Sequence, residues 1–127
     1  MSGGYSDLLL DHLRAPRNTG VLDDANGVAV VRNPVCGDSA TFMLRVDDGR
    51  ITAARFTAQG CGGSIAALSL TTELLEGLPL DAASRLDRDA IAEAAGGFPS
   101  SKIHCAALAA DAVRLALADY ARRGASV

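Results

Sequence analysis

The stretch Phe56-Thr57-Ala58-Gln59-Gly60-Cys61-Gly62-Gly63-Ser64-Ile65 decides how this chain is built. Strand-like residues run to Ala58 and a helical pattern opens at Ile65, so Cys61 stands where a strand becomes a helix, with glycine on both sides. Glycine permits positive φ and leaves the sulfur uncovered by neighbouring side chains. The unpaired N–H groups of a helix start favour thiolate over thiol, which lowers a cysteine's pKa. The alternative for such a residue taken alone is a small buried apolar side chain, since unpaired cysteine is among the most buried residue types.

Upstream, Ile51 to Ala58 and Ala40 to Val46 read as two strands joined through Asp47-Asp48-Gly49-Arg50, a strong hairpin turn. With Asp48 and Gly49 as the turn residues, Asp47 faces Arg50, and continuing the ladder brings Cys36 opposite Cys61. Ile51 and Phe56 have opposite parity, so a β-bulge is expected to shift the pairing by one. Either register leaves Cys36, Asp38 and Cys61 as neighbours at the open end of the hairpin. Val28 to Val31 is a further short strand, broken by Asn33-Pro34.

Downstream, Ile65, Leu68, Thr72 and Leu75 share one helical face, closed by Gly77 and Pro79. A short helix is expected from Asp87 to Ala95, closed by Gly96-Gly97. An alanine-rich helix follows, roughly Lys102 to Arg122, with Leu108, Leu115 and Ala118 on one side. Ser101 is its expected N-cap, which places Lys102, His104 and Cys105 in the first turn and again sets a cysteine where thiolate is favoured. At the other end of the chain, Tyr5 to Leu13 reads as a short helix capped by Ser6. Pro16 ends it and Asn18-Thr19-Gly20 follows as a turn. His12 is expected at the surface, since no other ligand type lies nearby in sequence.

These 127 residues, 49% of them hydrophobic, suit one domain spanning 1-127 with a proper core. A formal net charge of −3 argues against nucleic acid as a partner. No apolar run reaches the length of a membrane span, and Met1 to Leu13 lacks a basic n-region, so neither a membrane partner nor a signal peptide is expected. Three cysteines without a Cys-x-x-Cys pair fit a cytoplasmic chain with reduced thiols.

Cys36, Cys61 and Cys105 each stand at a connection beside a Gly or a His, with Asp38 and His104 close by. They form a set of three soft thiolates, one imidazole and one hard carboxylate. Thiolate and imidazole suit zinc and iron–sulfur centres, and a carboxylate matches iron–sulfur chemistry poorly. A closed structural zinc staple would need only the three cysteines and the histidine. A set with a weak, exchangeable member suits cargo that is loaded and handed on.

Asn33-Pro34-Val35-Cys36-Gly37-Asp38, Gly60-Cys61-Gly62 and Lys102-Ile103-His104-Cys105 resemble the three signature motifs of the IscU/NifU N-terminal scaffold family. The likeness runs from Tyr5-Ser6 through Asp11-His12 and Pro16-Arg17-Asn18 to Ala118-Asp119-Tyr120. It implies an α+β fold, a three-stranded antiparallel sheet with helices packed on it (SufE/NifU-like). It implies a scaffold, not an enzyme, on which an iron–sulfur cluster is assembled and passed to apo-proteins, with a cysteine desulfurase supplying persulfide sulfur. By motif position Cys36, Cys61 and Cys105 would hold the cluster, 2Fe–2S being the expected type. Asp38 and His104 would be supplementary ligands and Cys105 the persulfide acceptor. Zinc or ferrous iron would occupy the cluster-free form. A frataxin-like protein and a ferredoxin are further implied partners, and Tyr5 matches a tyrosine tied to transient self-association. The segment Phe98-Pro99-Ser100-Ser101-Lys102 departs from the family's usual Leu-Pro-Pro-Val-Lys, which argues against a dedicated Hsp70-type chaperone; Gly63 and Leu68 also depart from the common pattern. The alternative is a zinc-dependent sulfurtransferase of the SufU branch. That branch carries an insertion between its second and third cysteines and lacks the histidine before the third, whereas His104 is present here.

Overall fold

Asp48 and Gly49 both adopt positive φ in the computed structural model, the backbone that a two-residue hairpin turn with the native strand twist requires. The hairpin they close joins β2 (Ser39–Asp47) to β3 (Arg50–Gln59). Asp47 faces Arg50 and Val46 faces Ile51. The register then slips, and Arg45 faces Ala53 while the ladder runs on to Ser39 opposite Gln59. Thr52 is the extra residue of the expected bulge, and its hydroxyl donates to the Arg45 carbonyl at 3.2 Å. The slip explains the parity change. It turns Ile51, Ala54 and Phe56 to the same buried face, which a regular ladder would not allow.

The structure describes residues 4–34 and 37–125. In the described chain, β1 (Gly27–Arg32) pairs antiparallel with β2, giving a three-stranded sheet in the order β1-β2-β3. The helices are α1 (Asp7–Arg14), α2 (Gly62–Leu75), α3 (Leu80–Ala83), α4 (Arg88–Ala94) and α5 (Ile103–Ala125), with a 3-10 turn at Ser100–Lys102 before the last. This is an α+β architecture. α5 lies across β1 and β2, α2 packs on β3 and on α5, α1 rests on α2, and α4 on α5. Phe42, Leu44, Ile51 and Phe56 of the sheet meet Leu68 and Leu75 of α2 and Leu108, Ala112 and Val113 of α5 in one core.

Several sequence expectations change. α2 starts at Gly62, a turn earlier than the apolar pattern, and is buried on nearly every side rather than along one face, because α1, β3 and α5 enclose it. Leu115 and Ala118 of α5 face outward; the buried stripe is Cys105, Leu108, Ala109, Ala112, Val113 and Ala116, and alanine's helix propensity hid it from an argument based on leucines. Ser101 is not the cap of α5, since it lies within the 3-10 turn that Pro99 opens. The four-residue α3 is too short for any periodicity in the sequence to announce it. Asp87 caps α4 as expected, its carboxylate accepting from the Ala90 N–H at 2.8 Å.

His12 is buried rather than superficial, 1% exposed between α1 and α2. Its Nδ1 lies 2.7 Å from Ser69 Oγ and its Nε2 is 3.2 Å from Glu73 Oε1. Ser69 Oγ accepts the Arg17 N–H at 2.8 Å, which leaves the hydroxyl proton for Nδ1, and Nε2–H then donates to Glu73. A neutral imidazole satisfies this arrangement, and burial lowers its pKa accordingly.

Candidate metal and thiol site

Cys61 is the N-cap of α2, with extended backbone and a sulfur that makes no capping bond. The glycines around it are there for close approach, not for positive φ, which none of Gly60, Gly62 and Gly63 adopts. A β-carbon on Gly60 would come within 2.6 Å of Asp38 Cγ. One on Gly63 would lie 2.7 Å from Tyr5 Oη and 3.0 Å from Cys105 Sγ. The glycines let the hairpin end, α1 and α5 converge on the start of α2.

What converges is a compact ligand group. Cys105, in the first turn of α5, sets its Sγ 3.8 Å from Cys61 Sγ. The Nε2 of His104 lies 3.6 Å from Cys105 Sγ, and the ligand atoms of Cys61, His104 and Cys105 all fall within 4.8 Å of one another. Around a tetrahedral ion with sulfur at about 2.3 Å and imidazole nitrogen at about 2.0–2.1 Å, two sulfurs stand about 3.8 Å apart and sulfur and nitrogen about 3.6 Å apart. The residues present therefore fit a tetrahedral thiolate–imidazole centre without rearrangement of those edges.

Asp38 is also brought to the site, buried beside Gly60, but its carboxylate is not part of that group; Ser64 Oγ donates to its Oδ2 at 2.5 Å. Cys36 lies outside the described residues. Tyr5, from the N-terminal segment, covers the start of α2, and burial raises its hydroxyl pKa, opposed by the nearby Lys102 charge.

The expectation of an activated Cys105 is corrected. It sits at a helix start, but its side chain is fully buried, and burial pushes its thiol up to about 11. The nearby Ser64 hydroxyl and the Lys102 charge pull the other way and are outweighed. Desolvation of a thiolate exceeds what a few helix N–H groups return.

Ser64 is the residue that sequence reasoning missed. It is 1% exposed, and its hydroxyl touches Asp38, Cys61 Sγ at 3.6 Å and Cys105 Sγ at 3.5 Å. The signal was available: a hydroxyl three residues beyond a helix-capping cysteine lies about one turn above it on the same face.

Fold and site together define a small α+β domain that gathers thiol, imidazole and carboxylate groups where a hairpin ends and two helices begin. The family model described as the NifU-like N terminal domain matches residues 4–126, and the chain belongs to that family. Over 123 residues it is 46% identical to the iron–sulfur cluster assembly scaffold protein IscU 1 of Archaeoglobus fulgidus, covering 97% of this chain and 80% of that protein. It is 44% identical over 120 residues to the iron–sulfur cluster assembly scaffold protein IscU of Escherichia coli K12, covering 91% of this chain and 93% of that one. Among solved structures, a NifU-like N-terminal protein from Brucella abortus superposes with a TM-score of 0.78 over 95% of this chain and 96% of that one, at 21% identity, a likeness of fold.

Proposed function

We propose that this protein is a scaffold for iron–sulfur cluster assembly, a carrier rather than a catalyst. The observation that carries the reading is the convergence of the Cys61, His104 and Cys105 ligand atoms within 4.8 Å of one another, in a family whose relatives bear that function in their names. Cys36 and Asp38 complete the ligand set, with Asp38 as the exchangeable member. The cluster is cargo, of 2Fe–2S type, and zinc or ferrous iron holds the site before loading.

Sulfur enters as persulfide from a cysteine desulfurase. The Cys105 thiolate attacks the terminal sulfur, a new S–S bond forms on Cys105, the desulfurase S–S bond breaks, and its cysteine leaves as thiolate. The sulfane sulfur then needs two electrons to become sulfide, which a ferredoxin supplies. Cys105 must lose its proton first. Cys61, His104 and Cys105 would hold a metal ion there, and coordination would keep the Cys105 sulfur as thiolate. Acceptor apo-proteins take the finished cluster, and a frataxin-like protein joins the assembly step. Phe98, partly buried against the core, offers less of itself to a peptide-binding chaperone than an exposed leucine would.

Anaerobic incubation with ferrous iron, a cysteine desulfurase and cysteine tests the reading. Charge-transfer absorption in the visible region is expected, and no colour with intact thiols overturns it. Tight zinc with strong desulfurase stimulation and no cluster would favour the sulfurtransferase instead.

A further inference from the structure

Cys61 and Cys105 stand close together but differ in what can reach them. Their sulfurs are 3.8 Å apart, one at the N-cap of α2 and the other in the first turn of α5. Cys61 is half-buried and Cys105 fully buried. A disulfide sets its sulfurs about 2.05 Å apart, so each has roughly 0.9 Å to travel, within reach of small χ1 turns. A β-carbon on Gly63 would crowd Cys105 Sγ at 3.0 Å, and the glycine leaves that sulfur room to turn. A thiol that solvent reaches, backed by a sheltered one, is the arrangement of a redox sensor: the first is oxidised and the second resolves it. The resolving thiol needs no path to solvent, because its target is the neighbouring sulfur.

We infer that Cys61 and Cys105 are a peroxide-sensing pair that closes to an intramolecular disulfide and so withdraws two ligands from the site. The oxidant is a hydroperoxide. The Cys61 sulfur attacks its terminal oxygen, the O–O bond breaks, and the departing oxygen leaves with the Cys61 proton as water or an alcohol. Cys61 is then a sulfenic acid. The Cys105 sulfur attacks the Cys61 sulfur, the S–O bond breaks, and hydroxide leaves as water with the Cys105 proton. The two thiols give up two electrons in all, and the peroxide takes them. A thiol reductant reverses the bond by exchange. The blocking of the site rests on the ligand set given under the proposed function, whereas the formation of the disulfide does not.

Hydrogen peroxide, added in small excess to the reduced, metal-free full chain, tests this, with free thiols then blocked and the peptides mapped. Trypsin cuts after Arg32, Arg45, Arg55, Arg85, Lys102 and Arg114, so each cysteine falls on its own peptide. The Cys61 and Cys105 peptides are expected to be linked, and Cys36→Ser should keep the link. In Cys105→Ser, Cys61 should instead accumulate as sulfenic acid and be trapped by dimedone. Chain unfolded in urea should lose this selectivity and favour Cys36 with Cys61, the shorter loop. The oxidised folded protein should no longer bind zinc, and a thiol reductant should restore binding. If oxidation of the folded chain joins Cys36 to either partner, links separate molecules or gives only sulfinic acids, the pair is wrong while the ligand set stands. If the Cys61–Cys105 bond forms and zinc still binds as before, the blocking falls and the ligand set falls with it.

Discussion

Cys105 shows how one residue can carry opposing instructions. Its place in the first turn of a helix favours the thiolate, and its burial beneath Tyr5 and α2 favours the thiol. Burial wins, and with a thiol pushed up to about 11 only about one molecule in 10⁴ carries the thiolate at neutral pH. In metal-free protein we therefore expect iodoacetamide to label the half-buried Cys61 well before Cys105, as followed by peptide mass spectrometry. Cys105 labelling should rise as pH climbs toward 11, and rapid labelling at pH 7 would contradict this. Gly60 makes a second residue-scale test. Gly60→Ala drives a β-carbon into Asp38, and because the clash reaches Cβ and Cγ rather than a flexible tip, it should cost about 1–3 kcal/mol in chemical denaturation.

Among elements, α1 depends on polar contacts as much as on its apolar side. Leu9 packs with Ala66 and Leu70, while Ser6 accepts from the Leu9 N–H and donates to the Ala95 carbonyl, tying the start of α1 to the end of α4. His12 fastens its other end to α2 as a neutral imidazole. The unfolded chain protonates near the ordinary value of 6.5 and the folded one only at lower pH, so in that window the unfolded state holds more protons. Stability should thus fall as pH drops from 7 toward 5, by up to about 1.4 kcal/mol per pH unit from this group. His12→Gln should flatten the slope, and an unchanged slope in urea titrations at pH 5, 6 and 7 would assign it elsewhere. The edge strand β1 has a comparable tie. Asp119 of α5 accepts the Val28 N–H at 2.8 Å, and Arg123 pairs with the same carboxylate at 2.9 Å. Asp119→Ala leaves that N–H unpaired beneath the helix and should cost roughly 1–3 kcal/mol, read as a lower urea midpoint at unchanged slope.

For the molecule as a whole, the core and the ligand group are separable. Phe42, Leu44, Ile51, Phe56, Leu68, Leu75 and Val113 pack continuously across the sheet, α2 and α5, and of the ligand group only Cys105 is fully buried among them. A chelated sample should keep its helical circular dichroism and a cooperative thermal transition, with added zinc raising Tm by mass action. Loss of helicity on chelation would instead mark the metal as a structural staple.

The sequence alone determined much of this protein. The hairpin turn at Asp48-Gly49, the bulge, the three strands and the caps at Ser6 and Asp87 follow from local rules of turn, parity and spacing. Those rules act between residues close in the chain or paired across one ladder, and a linear reading contains them. The meeting of Cys61 with His104 and Cys105 was legible too, through two motifs that each place a ligand at a helix start. Only the tertiary structure decided that α2 is enclosed on nearly all sides, that His12 is buried, that burial pushes the Cys105 thiol up, and that Ser64 bonds to Asp38. Each of these depends on how much water the surrounding elements exclude. That is a property of packing between distant segments, which no local pattern records.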